Sequence, residues 1–268
     1  MVLISIMKKL FPLIFLFAIA CESVPITGRK QLSLLPESQM IGMGLTEYKT
    51  FLSQHPAVGA SNPDEQLVKR VGAKIQTAVI KFFQQKGMAS RLSGYQWEFN
   101  LVNSPEINAW CMPGGKVVVY SGLLPVTKDE TSLAFVMGHE IAHAVARHGN
   151  ERMSQAIVAE AGAMALDTYL QVKQTQSRNL FNQAYAAGTQ VAVMLPFSRT
   201  HETEADKMGM VFMAIAGYDP THASELWRRM SAHGGTKPPQ ILSTHPSDAT
   251  REKTMKEFLP EAIKYYKK

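Results

Sequence analysis

Apolar residues recur at helical spacing from Glu37 to Leu52 and again from Pro63 to Gln85, and both stretches read as packing helices. The second opens with Asn62 as a cap, Pro63 at the first helical position, and Asp64 and Glu65 in the first turn, where the helix dipole favours acid. From Tyr95 to Val102 the pattern alternates. Lys116 to Tyr120 is a β-branched run introduced by Pro113-Gly114-Gly115, so both segments are expected as strands of a small sheet. A long helix is expected from about Asp129 to His148, with Asp129 and Glu130 at its positive end and Gly149 closing it. Glu151 to Leu170 and Ala184 to Leu195 are rich in Ala, Met and Val. The first carries Glu160 and Asp167 and the second is too short for a bilayer, so both read as buried or groove-lining helices. Ser198 to Ala216 and Pro220 to Ala232 predict two more helices, split by Gly217-Tyr218-Asp219, and a last one runs from about Ser247 to Phe258. No solenoid repeat is present. The expected body is one α+β, mainly helical domain over residues 37–268.

The N-terminus changes the picture. Lys8 and Lys9 precede an apolar stretch from Leu10 to Ala20, which reads as a signal peptide over residues 1–20, and Met7 is an alternative start to Met1. Cys21 directly follows Phe17-Ala18-Ile19-Ala20 and resembles the lipidated cysteine of a bacterial lipobox. The expected product is an exported chain held to the membrane by lipid on Cys21. Glu22 stands where an Asp favours inner-membrane retention in some bacteria, so the outer membrane, facing the periplasm, is the expected address. Residues 21–36, rich in polar residues, Pro and Gly, read as a tether. With Cys21 lipidated only Cys111 remains, so no intrachain disulfide is expected. Losing Lys8 and Lys9 lowers the formal charge from +6 to +4, with no Lys/Arg block and no nucleic-acid signature.

The chemistry sits in His139-Glu140-Ile141-Ala142-His143. On a helix, residues four apart share a face, so both imidazoles can reach one metal ion while Glu140 reaches a water beside it. The flanking Phe135-Val136-Met137-Gly138 and Ala144-Val145 are apolar, unlike a solvated helix face. A catalytic zinc usually has three protein ligands, so one is missing. The metzincin extension fails, because it requires Gly and His where Ala146 and Gly149 stand. A carboxylate on a second helix is the other solution. Among the Asp residues only Asp206 has a Glu four positions earlier, Glu202, and this pair also shares a face. Glu202 can bind the metal while Asp206 accepts the second ring N–H of a ligating histidine. Glu204 and His201 are open as alternatives to Glu202.

His139 to His143 with Ala146-Arg147-His148, then Pro196-Phe197-Ser198-Arg199, Glu202 to Asp206 and Thr244-His245-Pro246, resemble the zinc peptidase family of CAAX prenyl protease, the mitochondrial inner-membrane quality-control peptidase and the bacterial outer-membrane assembly-enhancing protease. The resemblance covers about residues 25 to 265. It implies a zincin-like fold of gluzincin type with a small sheet beside the HExxH helix, one Zn2+ held by His139, His143 and Glu202, and Glu140 as base. The expected form is a minimal lipoprotein one, without the multiple spans or the helical repeats of some members.

The expected activity is endopeptidase action on extended or misfolded envelope polypeptides, in quality control. The other reading is an envelope chaperone or outer-membrane assembly scaffold with latent proteolysis. Lys116 to Tyr120, if it is a sheet edge, can pair with substrate by strand addition; otherwise it is a core strand. His245 and Arg251 are candidate oxyanion partners, and His245 can alternatively occupy the fourth zinc position or simply cap the last helix. His55, His148, His222 and His233 read as surface or helix-end residues, and Trp97, Trp110 and Trp227 as core.

Overall fold

The computed structural model describes residues 21–168, 198–232, 240–245 and 249–267. The signal-peptide residues 1–20, the helix expected from Ala184 to Leu195, Pro196-Phe197 and His233 lie outside them.

Three strands build the sheet: β3 (Glu98–Val102), β4 (Ala109–Met112) and β5 (Lys116–Tyr120), after a hairpin of β1 (Cys21–Ser23) and β2 (Lys30–Leu32). β5 lies in the centre, parallel to β3 and antiparallel to β4. Its place explains its composition. Val117 and Val119 join Phe99, Leu101, Ala109 and Cys111 in the larger core, whereas Val118 and Tyr120 join Trp110, Met112 and Val102 in a second core on the opposite face. A strand buried on both faces reads as continuous apolar residues, so Lys116 to Tyr120 is a core strand. The edge role considered for it is thereby corrected: the edge beside the HExxH helix belongs to β4.

Helix α1 (Glu37–Gln54) covers the second core with Met40, Tyr48 and Phe51. Helix α2 (Pro63–Gln85) backs the larger core, and its N-terminus is closed as its sequence indicates, with Asn62 accepting from the N–H groups of Asp64 and Glu65. Helix α3 (Glu130–Val145) is capped by Asp129, which accepts from Ser132 N at 2.7 Å. Every residue from Ser132 to Val145 is buried. Helices α4 (His148–Thr168), α5 (Arg199–Ile215), α6 (Ala223–Ala232), α7 (Gln240–Thr244) and α8 (Ala249–Ile263) follow. Among the described residues no helix is long and apolar enough to cross a membrane.

Two local expectations are corrected. The HExxH helix ends before Gly149, because Arg147 takes a left-handed φ of 64° and Gly149 falls inside α4. The carbonyls left without helical partners at that helix end are satisfied from elsewhere: Arg91 donates to Val145 O at 2.7 Å and Gln31 donates to Ala146 O at 2.7 Å. The second correction concerns residues 21–36. They form the packed hairpin and its exit, where a free tether was expected. Glu22 pairs with Arg147 and Arg91, Gln31 is buried, Leu34 N donates to Ser154 and Asn150 donates to Leu35 O. The polar composition that resembles a linker instead supplies Glu22, Arg29 and Gln31, which have partners on the body.

Candidate metal centre

The two helices that carry the motif cross within backbone contact. Gly138 and Gly209 make this possible: a Cβ at 209 would lie 3.0 Å from His139 N, and one at 138 would lie 3.2 Å from Gly209 O. The crossing sets His139 and His143 of α3 against Glu202 and Asp206 of α5. Ser198 caps α5 by accepting from His201 N, so its first turn delivers Glu202 at a fixed rotation.

Four side chains converge. Ligand atoms of His139, His143, Glu202 and His245 all lie within 4.8 Å of one another, and all four residues are buried. The Nε2 atoms of His139 and His143 are 3.1 Å apart, and Glu202 carboxylate oxygens lie 3.5 and 3.4 Å from them. His245, just past the end of α7, brings Nδ1 to 3.0 Å from Glu202 and 3.4 Å from His139 Nε2. Its other nitrogen is 3.6 Å from Glu140 Oε1, a buried oxygen that has no hydrogen-bond partner among the described residues.

Around this group the charges do not cancel. Glu140, Glu202 and Asp206 are buried beside one buried guanidinium, Arg251. Three carboxylates against one permanent cation favour further positive charge at this point, which a divalent ion held by imidazole and carboxylate would supply. Burial would raise Glu202, but the charges of His245 and Arg251 and the hydrogen bonds of His139 and His143 outweigh it and hold the group well below the usual carboxylate range. Burial opposes charge on His139 as well, yet Asp206 and Glu202 outweigh it and raise the imidazole to about 9. Glu140 is pushed up by burial, the direction useful for a base.

Asp206 lies where the spacing put it, with Oδ1 3.0 Å from His139 Nδ1. Arg251 has a different position from the oxyanion role considered for it. Its Nη1 is 2.7 Å from Glu202, and Nη2 and Nε are 2.6 and 2.8 Å from the two oxygens of Asp206, so all three nitrogens hold carboxylates. Trp227, read as core, is also a support: its indole N–H donates to Asp206 at 3.2 Å and its ring lies 4.0 Å under the Arg251 guanidinium.

Three further residues have partners that the sequence reading did not assign to them. His148, expected at the surface, is fully buried with Nδ1 2.9 Å from His143 Nδ1. Glu204, an alternative ligand, points instead to His148 Nε2 at 3.1 Å and to Arg29. His201 pairs with Glu151 at 2.8 Å and stacks on His148. A helix continued through residue 148 would aim His148 away from His143; the break at Arg147 turns it back, and no sequence period signals that. His55 and His222 do lie away from the site, half-buried against Phe51 and exposed respectively.

A helix bearing two histidines and an acid, crossed by a carboxylate helix and flanked by a small mixed sheet, defines a zincin-like metallopeptidase domain. The pattern of Peptidase family M48 matches residues 70–259, and the chain belongs to that family. It is 34% identical over 245 residues to mitochondrial metalloendopeptidase OMA1 of Schizosaccharomyces pombe, covering 90% of this chain and 67% of that protein. It is 30% identical over 249 residues to the human mitochondrial metalloendopeptidase OMA1, covering 91% of this chain and 47% of the other. The beta-barrel assembly-enhancing protease of Escherichia coli is 32% identical over 161 residues, which are 58% of this chain and 33% of that protein. The chain thus spans two thirds of the yeast relative and less than half of the other two.

The glycine crossing is open to direct test. Gly209→Ala forces a methyl against the His139 backbone and is expected to cost about 1 to 3 kcal/mol in urea unfolding. Gly42→Ala, where nothing lies within 4 Å of the added carbon, is the control and gains up to about 1 kcal/mol of helix propensity. Equal stability of the two variants would show that the close approach is not needed.

Proposed function

We propose that this chain is a zinc-dependent endopeptidase of the bacterial cell envelope, acting in protein quality control, with His139, His143 and Glu202 as zinc ligands and Glu140 as general base. The convergence of those three ligand groups at one buried point, with Glu140 on the next face of the same helix, carries the reading. Zinc bound there supplies Lewis acidity, lowering the pKa of a water and polarising the scissile carbonyl. Glu140 Oε1 takes the proton from the attacking water and returns it to the leaving amine. Asp206 holds His139 in the tautomer that presents Nε2, and Arg251 fixes both carboxylates against rotation. An extended substrate adds along β4 (Ala109–Met112), the edge strand packed against α3.

The N-terminus supports the proposed setting. The Phe17 to Cys21 segment resembles a lipobox, and one relative is named for β-barrel assembly, so the proposed form is a lipoprotein of residues 21–268 at the outer membrane facing the periplasm. Misfolded envelope polypeptides are its proposed substrates and the outer-membrane assembly machinery its proposed neighbour. Cys21→Ser is expected to prevent lipid attachment and release the chain from membranes. Membrane fractionation of a mature-sized Cys21→Ser band would refute the anchor.

Glu140→Gln is expected to abolish peptidase activity while zinc stays near one per chain by atomic absorption, and Glu202→Ala is expected to lose both. Measurable proteolysis by the first, or full zinc occupancy in the second, contradicts the assignment.

His245 stands in the fourth ligand corner, where a latent enzyme would hold a closing ligand. Its departure then opens the site to water, which supports a resting state that is proteolytically quiet. His245→Ala is expected to keep zinc and to raise basal cleavage of an unfolded protein several-fold. A fall in activity would assign His245 to oxyanion stabilisation instead, and unchanged activity would leave it neither role.

A further inference from the structure

Behind the metal centre, on the side away from Asp206, lies a second buried polar group that the proposed mechanism does not use. It starts at His143. A His143 that offers Nε2 to a metal carries its proton on Nδ1, and the acceptor for that proton is His148 Nδ1, 2.9 Å away. His148 then carries its own proton on Nε2, where Glu204 Oε2 accepts it at 3.1 Å. The carboxylate of Glu204 is itself gripped from the N-terminal hairpin: Thr27 Oγ1 donates to Oε1 at 2.7 Å, Arg29 Nε to Oε1 at 2.9 Å and Arg29 Nη2 to Oε2 at 2.9 Å. The same guanidinium donates to both oxygens of Glu151 at 2.7 and 2.6 Å.

Each bond in this series has a defined direction, and the direction matters. A carboxylate can only accept, so Glu204 selects the His148 tautomer with the proton on Nε2, and that tautomer leaves His148 Nδ1 as an acceptor for His143. His139 reaches an equivalent end through Asp206 directly. His143 reaches its carboxylate through one extra imidazole, and the cation that neutralises that carboxylate comes from residues 24–29, between the hairpin strands. Without Arg29, Glu204 and Glu151 would be two buried carboxylates close together with their bidentate partner gone.

We propose that Arg29 is a positioning residue of the metal site, acting from the N-terminal hairpin through Glu204 and His148 to hold the tautomer and rotation of His143. The turn of the hairpin is thereby a working part of the enzyme, and the site is complete only when Arg29 is docked on Glu204. This inference rests on the proposed zinc site.

The test is zinc affinity, measured on the full mature chain by competition with a chromophoric chelator, together with the absorption spectrum of the cobalt-substituted protein. Arg29→Ala is expected to weaken zinc by about 10- to 100-fold and to shift the cobalt bands, with unchanged far-ultraviolet circular dichroism. In a His148→Ala background the same substitution is expected to have little further effect, because the route is already cut. Glu22→Gln loosens the same hairpin at Arg91 and Arg147 without touching the relay, and is expected to keep the wild-type affinity. Wild-type affinity in Arg29→Ala, an additive loss in the double variant, or an equal loss in Glu22→Gln would each overturn the proposal. If the wild-type protein itself takes up no zinc that depends on Glu202, the underlying zinc site fails, which is a separate result.

Discussion

The site depends on two helix backbones meeting at Gly138 and Gly209. Glycine at both positions lets α3 and α5 come this close without a shift, and the approach sets Glu202 within 3.5 Å of the Nε2 atoms of both histidines. The approach has an electrostatic consequence. It brings Glu202 and Asp206 into a space already holding Glu140, from which water is largely removed, and buried carboxylates are costly unless they are paired. Arg251, clamped across Glu202 and Asp206 and stacked on Trp227, offsets part of that cost, and a divalent cation is suited to offset the remainder. The same group of residues therefore explains the fold's tight crossing, its buried arginine and its proposed chemistry.

Around this centre the protein is organised to hold side chains still. The sheet is buried on both faces, so β4 is pressed between α3 and the Trp110 core. The N-terminal hairpin closes the end of α3 through Gln31, which donates to Ala146 O, and Arg91 donates to the neighbouring Val145 O. These contacts hold the helix end that bears His143, the proposed ligand one turn from the break. Rotation of an imidazole by even a small angle weakens a metal bond, so rigid support here bears directly on function.

What could be read in the sequence was whatever repeats at a helical or strand period. The HExxH pair, the Glu202 and Asp206 pair, the Asn62 cap and the β5 strand are local patterns, and the structure sets them on the helices and strand that their spacing implied. Other features depend on meetings between distant segments. Residues 21–36 carry a linker's composition, yet Arg29 and Gln31 have buried partners more than a hundred residues away. His148 is turned inward by the left-handed Arg147, a conformation that an arginine does not announce. The position of β5 at the sheet centre rather than its edge was likewise undetermined, since an apolar five-residue run fits either.

The central claim is that His139, His143 and Glu202 hold one zinc ion. Anomalous diffraction at the zinc absorption edge, on crystals of the mature chain grown with zinc, addresses it without reference to activity. The account predicts a single strong peak per chain about 2.0 to 2.1 Å from Nε2 of both histidines and about 2.0 to 2.2 Å from a Glu202 oxygen. A principal peak bound elsewhere, or a site that takes no zinc while these three side chains keep their described arrangement, would contradict it.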